Sequence, residues 1–239
     1  MIKTTKLNDA DIFVKSIIYV NIAMFIIAIL LNLRALNLSI NPMAFLSPDS
    51  KSLFLLGASG SIPVGQFNRW WTLVSANYLH VNLLHIIFNM LAFKQISELV
   101  CIFYGSNRMF IIYTIGGIFG FLISFIAGVS ITIGASAAIC ALMGAAFYYG
   151  KSRGGIYGGL VYKQIGGWML GVLIIGFLVP GINNWGHIGG IIGGALVGMG
   201  LGYEEKKSET FFHKILSGFC VILTLIVLLW ALGTAIYYH

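Results

Sequence analysis

The chain has 239 residues, of which 59% are hydrophobic and 9% charged, against about 25% charged in a soluble domain. A chain of this composition cannot cover itself with polar groups in water, which excludes a soluble globular protein and leaves an integral membrane protein. The net charge of +7, which in a soluble protein would suggest a nucleic-acid partner, is here read as the bias that orients a chain in the bilayer.

Residues 1–13, with Lys3, Lys6, Asp9 and Asp11, read as a short polar tail. Residues 17–33 are apolar and long enough to cross a ~30 Å hydrocarbon core at 1.5 Å per residue. Asn32-Leu33-Arg34 lacks the small residues of a signal-peptide cleavage site, so this segment is expected to be a retained first span. Residues 34–80 contain Pro42, Pro48, Pro63, the turn-forming run 57–61 and Arg69-Trp70-Trp71. Prolines and glycines break regular structure, and an aromatic pair beside an arginine suits the membrane–water boundary. The expectation is a loop with short helices lying in the interface.

Further spans are expected over residues 82–103, 109–127, 134–149, 166–179, 186–201 and 215–238. Lys94 and Glu98 fall in the last turns of the second span, where they can snorkel. The fifth span is short and is closed by Pro180-Gly181, and a charged loop, 203–214, precedes the last span. The three cysteines, Cys101, Cys140 and Cys220, form no CxxC pair and read as free buried thiols. The fold class is therefore all-α, a polytopic membrane helix bundle. With the N-terminus in the cytoplasm, eleven Lys and Arg fall on the cytoplasmic side (Lys3, Lys6, Lys15, Lys94, Arg108, Lys151, Arg153, Lys163, Lys206, Lys207, Lys214) and three on the other (Arg34, Lys51, Arg69). The positive-inside rule then favours this orientation, with the C-terminus outside.

Polar side chains inside the spans narrow the chemistry, because they are costly there and mark function by default. No carboxylate lies in the middle of a span, which argues against a proton relay and against a two-aspartate intramembrane protease. The zinc signature His-Glu-x-x-His is absent. What remains is Ser, His and Asn. His85 and Asn89 are four residues apart and share a helix face; a bond that merely joins helices, worth ~0.6 kcal/mol in a membrane, is the plain alternative. His80, about 140° round the helix from His85, reads as a structural interfacial histidine. Ser136 opens a run of small residues in which Ala137, Ala141 and Ala145 recur every fourth position. His187 opens a span in which Gly186, Gly190, Gly194 and Gly198 do the same. Small faces of this kind permit close approach of two helices, and their meeting would bring Ser136 and His187 to one depth. The alternatives are a serine that only packs and a histidine that only caps.

Together, Ser136 and His187 would form a dyad in which the imidazole takes the hydroxyl proton during attack. No Asp or Glu is placed to orient the ring. Oxyanion donors are available in His85, Asn89 and the backbone N–H of Ser136 at its helix start.

Arg69-Trp70-Trp71, His80, Asn82 to Met90 with His85 and Asn89, Gly134-Ala135-Ser136, and Gly186-His187 followed by Gly190 and Gly194, taken in this order, resemble the rhomboid family of intramembrane serine proteases. The resemblance implies a six-helix core over residues 14–202, an interfacial first loop over 34–80, and one extra helix over 215–239. It implies Ser136 as nucleophile, His187 as base, and His85, Asn89 and Ser136 at the oxyanion. It also implies a mobile fifth span, no metal or cofactor, and cleavage of single-span membrane proteins in or near their transmembrane segments. The expected partners are such substrates and membrane lipid, with no nucleic acid, in a bacterial cell membrane. The family pattern GxSG stands here as Gly134-Ala135-Ser136-Ala137, and Cys140 occupies a position where the family often has an aromatic ring. The competing readings are a catalytically silent relative that holds membrane clients and a small transporter or channel.

Overall fold

In a computed structural model, the backbone is described for residues 4–41 and 43–238, with side chains from residue 12 onward. Lys3 and the expected break at Pro42 lie outside the described residues. The long helices are α1 (Thr4–Leu31), α4 (Leu83–Tyr104), α5 (Ser106–Ile126), α6 (Ser136–Arg153), α7 (Gly155–Leu178), α8 (Asn184–Leu201) and α9 (Phe211–Tyr238). Short helices α2 (Ser50–Leu55) and α3 (Thr72–Ser75) lie between α1 and α4. Most of the expected N-terminal tail is thus the first turns of α1. The helices α1, α4, α5, α7 and α9 carry segments long and apolar enough to cross a membrane, so the chain is a multi-pass membrane protein with a helical bundle fold.

The innermost helices are the small-residue ones. α6 and α8 have 18 residues each, and every residue of α6 from Ala137 to Ala146 is buried. In α8 the buried residues are His187 and six glycines. The two faces meet in register. A Cβ on Gly190 would overlap the Ala137 carbonyl, one on Gly194 would overlap the Ala141 carbonyl, and one on Gly198 would lie 3.0 Å from the Ala145 Cβ. A third helix joins this contact. A Cβ on Gly120 of α5 would lie 2.7 Å from the Ala137 Cβ and 2.7 Å from the Gly186 carbonyl, and one on Gly116 would overlap the Ala141 Cβ. Between helices in lipid, association rests on this close packing rather than on the hydrophobic effect. The peripheral helices turn large apolar residues outward: Phe177 and Leu178 of α7 and Leu229 and Trp230 of α9 are all exposed.

Two expectations change. The span expected over 166–179 is the C-terminal part of α7, which starts eleven residues earlier at Gly155 and has 24 residues. The glycines at 158, 159, 166 and 167 and Lys163 lower the local hydropathy without breaking the backbone helix. The real break is the pair Gly154 and Gly155, with φ of +66° and +65°. The segment 34–80 also holds more than interfacial helices. A two-stranded antiparallel hairpin pairs β1 (Asn37–Leu38) with β2 (Phe45–Ser47). The turn beyond α2 enters the bundle, where Ala58 and Ser59 are buried. Backbone this deep must have its polar groups paired. Ser59 and Thr132 do so reciprocally, N to O at 3.0 and 2.7 Å, while Ser61 N donates to Val129 O at 2.7 Å. Arg69 closes the turn by donating from Nη1 and Nη2 to Phe54 O at 2.8 Å and Leu55 O at 3.0 Å, and its guanidinium lies over the Phe54 and Trp71 rings.

At the opposite end, the charged loop 203–210 folds around Arg108, which is fully buried. Its guanidinium donates to Tyr104 O, to Gly202 O and Lys207 O at 2.8 Å, and to Glu204 Oε2 at 2.5 Å. Glu209 accepts from Arg108 N and Asn107 Nδ2, both at 3.0 Å. The cysteines are free, as expected; Cys140 and Cys220 are buried, whereas Cys101 is only partly so.

Glycine-face packing makes a direct prediction. Gly194→Ala lowers the unfolding free energy in detergent by about 1–3 kcal/mol, because the added methyl meets backbone. Gly233→Ala on α9, where nothing lies within 4 Å, stays within about 0.5 kcal/mol of the parent. Equal effects at the two positions would refute the close-packed account of α6 and α8.

Candidate active site

Helices α4, α6 and α8 all start at the same end of the bundle, and two of them are capped by asparagine. Asn82 Oδ1 accepts from His85 N at 2.7 Å and its Nδ2 donates to Met43 O at 2.7 Å, beside the hairpin. Asn183 Oδ1 accepts from Gly186 N at 3.1 Å. Its Nδ2 donates to Ser124 Oγ at 2.7 Å and Thr132 Oγ1 at 3.0 Å, tying the start of α8 to α5 and to the segment before α6. α6 differs: its N-cap is Ala135, which offers no side-chain acceptor. The first N–H groups of that helix, beginning with Ser136, are therefore left without intrahelical partners.

The Gly134 backbone sets how Ser136 enters. Its φ is +132°, a conformation that excludes ordinary side chains, and its N–H donates to Ala76 O at 2.9 Å. A Cβ there would lie 2.8 Å from His85 Cε1 and 2.9 Å from His85 Nε2, with Ser136 Oγ 3.7 Å away. The His85 ring thus rests against the glycine, next to the serine hydroxyl. Val81 N–H donates to His85 Nδ1 at 3.4 Å, which assigns the ring proton to Nε2, the nitrogen on the Gly134 side.

Ser136 Oγ and His187 Nε2 lie 3.0 Å apart. The imidazole is 5% exposed, and its other nitrogen, Nδ1, faces Asn184 Oδ1 at 3.3 Å. The arrangement allows the hydroxyl to give its proton to Nε2. Asn89 behaves differently from His85: its Nδ2 donates to the His85 carbonyl of its own helix at 2.8 Å, so it is held in place beside the site and keeps one N–H unassigned. Of the four side chains expected at the site, Ser136, His187 and His85 converge, while Asn89 is bonded back to its own helix.

Several features were not expected. His80 is fully buried, packed edge-to-face on His85 with centroids 5.0 Å apart. Burial, and then the neighbouring His85, hold its pKa well below the usual histidine range. Asn184, three residues before His187 and on the same helix face, also reaches the ring. Ala137 is accommodated because its methyl points at Gly120. Cys140 is buried, and among the described residues no aromatic ring stacks on His187. Ser59, which also sits in a Gly-x-Ser-Gly string, is a structural residue whose Oγ accepts from Thr72 Oγ1 at 3.2 Å.

A bundle in which a partly buried serine meets a buried histidine across two small-residue helices defines a class of polytopic membrane protein. Residues 68–204 match the Rhomboid domain model, and the chain belongs to the rhomboid family. It is 33% identical over 180 residues to Rhomboid protease GluP of Bacillus subtilis (strain 168), covering 74% of this chain and 34% of that protein. It is 31% identical over 176 residues to RHOMBOID-like protein 6, mitochondrial, of Arabidopsis thaliana, covering 70% and 57%. With RHOMBOID-like protein 4 of Arabidopsis thaliana the identity is 30% over 161 residues, covering 66% and 40%. The chain thus spans between about a third and somewhat over half of these relatives' lengths.

The Asn183 cap gives a test of how the α8 start is held. Asn183→Ala removes one cap and two cross-links and lowers the unfolding free energy by about 1–2 kcal/mol. An unchanged value in a detergent unfolding titration would contradict this anchoring role.

Proposed function

We propose that the chain is an intramembrane serine endopeptidase that cleaves single-span membrane proteins in or near their transmembrane segments. The observation that carries this reading is the 3.0 Å approach of Ser136 Oγ to His187 Nε2. The His85 ring at Gly134, beside that pair, supports it, as does similarity to a relative named as a protease.

In this reading Ser136 Oγ attacks the scissile carbonyl carbon while its proton passes to His187 Nε2. The new oxyanion takes hydrogen bonds from Ser136 N–H, His85 Nε2–H and the remaining N–H of Asn89. Such donors act strongly because they are fixed before charge develops. The intermediate collapses, the C–N bond breaks, and His187 returns the proton to the leaving amine. Water then attacks the acyl-serine, giving its proton to His187, and the product carboxyl leaves as Ser136 regains its hydrogen. No metal ion or cofactor enters any step.

The proposed topology has seven spans, with α6 and α8 crossing beside the five apolar helices, the N-terminus in the cytoplasm and the site towards the outer face, supported by the eleven-to-three bias of Lys and Arg. The proposed division is a cytoplasmic tail over 1–13, a catalytic core over 14–202, a cytoplasmic loop over 203–214 and an added helix over 215–239, in a bacterial cell membrane. α7 is the proposed lateral gate, since its buried residues are only Gly158, Val161 and Ile165. That leaves its outer half, where α8 starts, held by few side chains.

The experiment is cleavage of a single-span reporter in liposomes, with fluorophosphonate labelling of the same protein. Wild type cleaves and is labelled at Ser136; Ser136→Ala and His187→Ala do neither. Gly134→Ala, which crowds His85 away from the serine, loses ~10²–10³ in kcat while remaining folded. Cleavage at the wild-type rate by Ser136→Ala would rule the reading out. Labelling that fails in wild type while clients still bind would favour a silent escort instead.

A further inference from the structure

We infer that Asn184 is a positioning residue for the catalytic base, and that α7 holds Asn184 in that position. This inference rests on the Ser136–His187 reading. It starts from the two faces of the His187 ring. Nε2 is engaged by Ser136 Oγ at 3.0 Å. Nδ1 has Asn184 Oδ1 at 3.3 Å, and an amide oxygen can only accept. The contact therefore places the ring proton on Nδ1 and leaves the Nε2 lone pair free for the hydroxyl hydrogen. In the other tautomer Nε2 carries a proton and cannot act as a base. Among the described residues nothing else fixes the ring through hydrogen bonds, and no aromatic side chain stacks on it. Cys140, one turn beyond Ser136, supplies no flat surface for it.

The Asn184 amide is itself oriented from outside α8. Its Nδ2 donates to Leu173 O of α7 at 3.1 Å. Because nitrogen and oxygen of the amide sit on opposite sides, this bond turns Oδ1 toward the imidazole. Gly176, three residues on and on the same face of α7, makes the room: a Cβ there would overlap Asn184 Oδ1. The obstructing group is the end of a flexible side chain, so an alanine at 176 displaces the amide without breaking the helix contact. One small residue on α7 thus controls the orientation of a base on α8.

The experiment measures kcat and KM on the reporter for wild type, Asn184→Ala, Gly176→Ala and the double variant. The His187 tautomer is followed in parallel by nitrogen-15 NMR of histidine-labelled protein. Each single variant should lower kcat by ~10–10²-fold, the scale of a misplaced catalytic group, with KM unchanged within twofold. The double variant should be no slower than Asn184→Ala alone, since both changes act through one amide. The Nδ1–H tautomer should dominate in wild type and be lost in both single variants. A wild-type kcat in Asn184→Ala, or a lowered kcat with the tautomer unchanged, would overturn the inference. So would a Gly176→Ala effect that persists in full in the Asn184→Ala background. Should wild type fail to label at Ser136, the protease reading falls, and the NMR result still decides the role of Asn184.

Discussion

The close contact of the alanine face of α6 with the glycine face of α8 is the constraint on which the rest depends. Gly190 and Gly194 lie so near the carbonyls of Ala137 and Ala141 that no side chain fits between them. Only at this separation can a serine at the start of one helix reach a histidine near the start of the other. The polar groups of the site are therefore consequences of packing. α5 extends the same principle, because Gly120 accepts the Ala137 methyl and brings Ser124 under the Asn183 cap.

Around this contact, the two ends of the bundle are secured by different means. At the site end the ties of the helix starts around the dyad are neutral, namely asparagine caps, the Ser59–Thr132 bridge and the Gly134 to Ala76 bond, and Arg69 closes the turn beyond α2. At the other end they are ionic, with Arg108 buried among the carbonyls and carboxylates of the 203–210 loop. A buried guanidinium needs a full set of acceptors, and Arg108 has them. Ser136 and Asn184, the side chains that hydrogen-bond to His187 at the site end, are likewise uncharged.

Much of this was legible in the sequence, for reasons that differ by feature. The four-residue spacing of alanines and glycines is a strong local signal, and it predicts which faces meet. His85 and Asn89 share a face by spacing alone, yet spacing cannot show that Asn89 turns its amide back to its own helix. The start of α7 was missed because hydropathy falls at glycines and Lys163, whereas backbone hydrogen bonding does not. The hairpin at Asn37–Leu38 and Phe45–Ser47 is too short to carry a periodicity. Asn184 was missed because its two partners are Leu173 on another helix and a ring nitrogen, neither of which a motif records.

The most direct test of the central claim is the rate at which Gly190→Ala is phosphonylated at Ser136, measured on protein shown to be folded. Its methyl would overlap the Ala137 carbonyl and part α6 from α8 without touching either side chain of the dyad. The account predicts labelling slowed by ~10² or more, as expected when reacting groups are displaced. A folded Gly190→Ala protein labelled at the wild-type rate would contradict it.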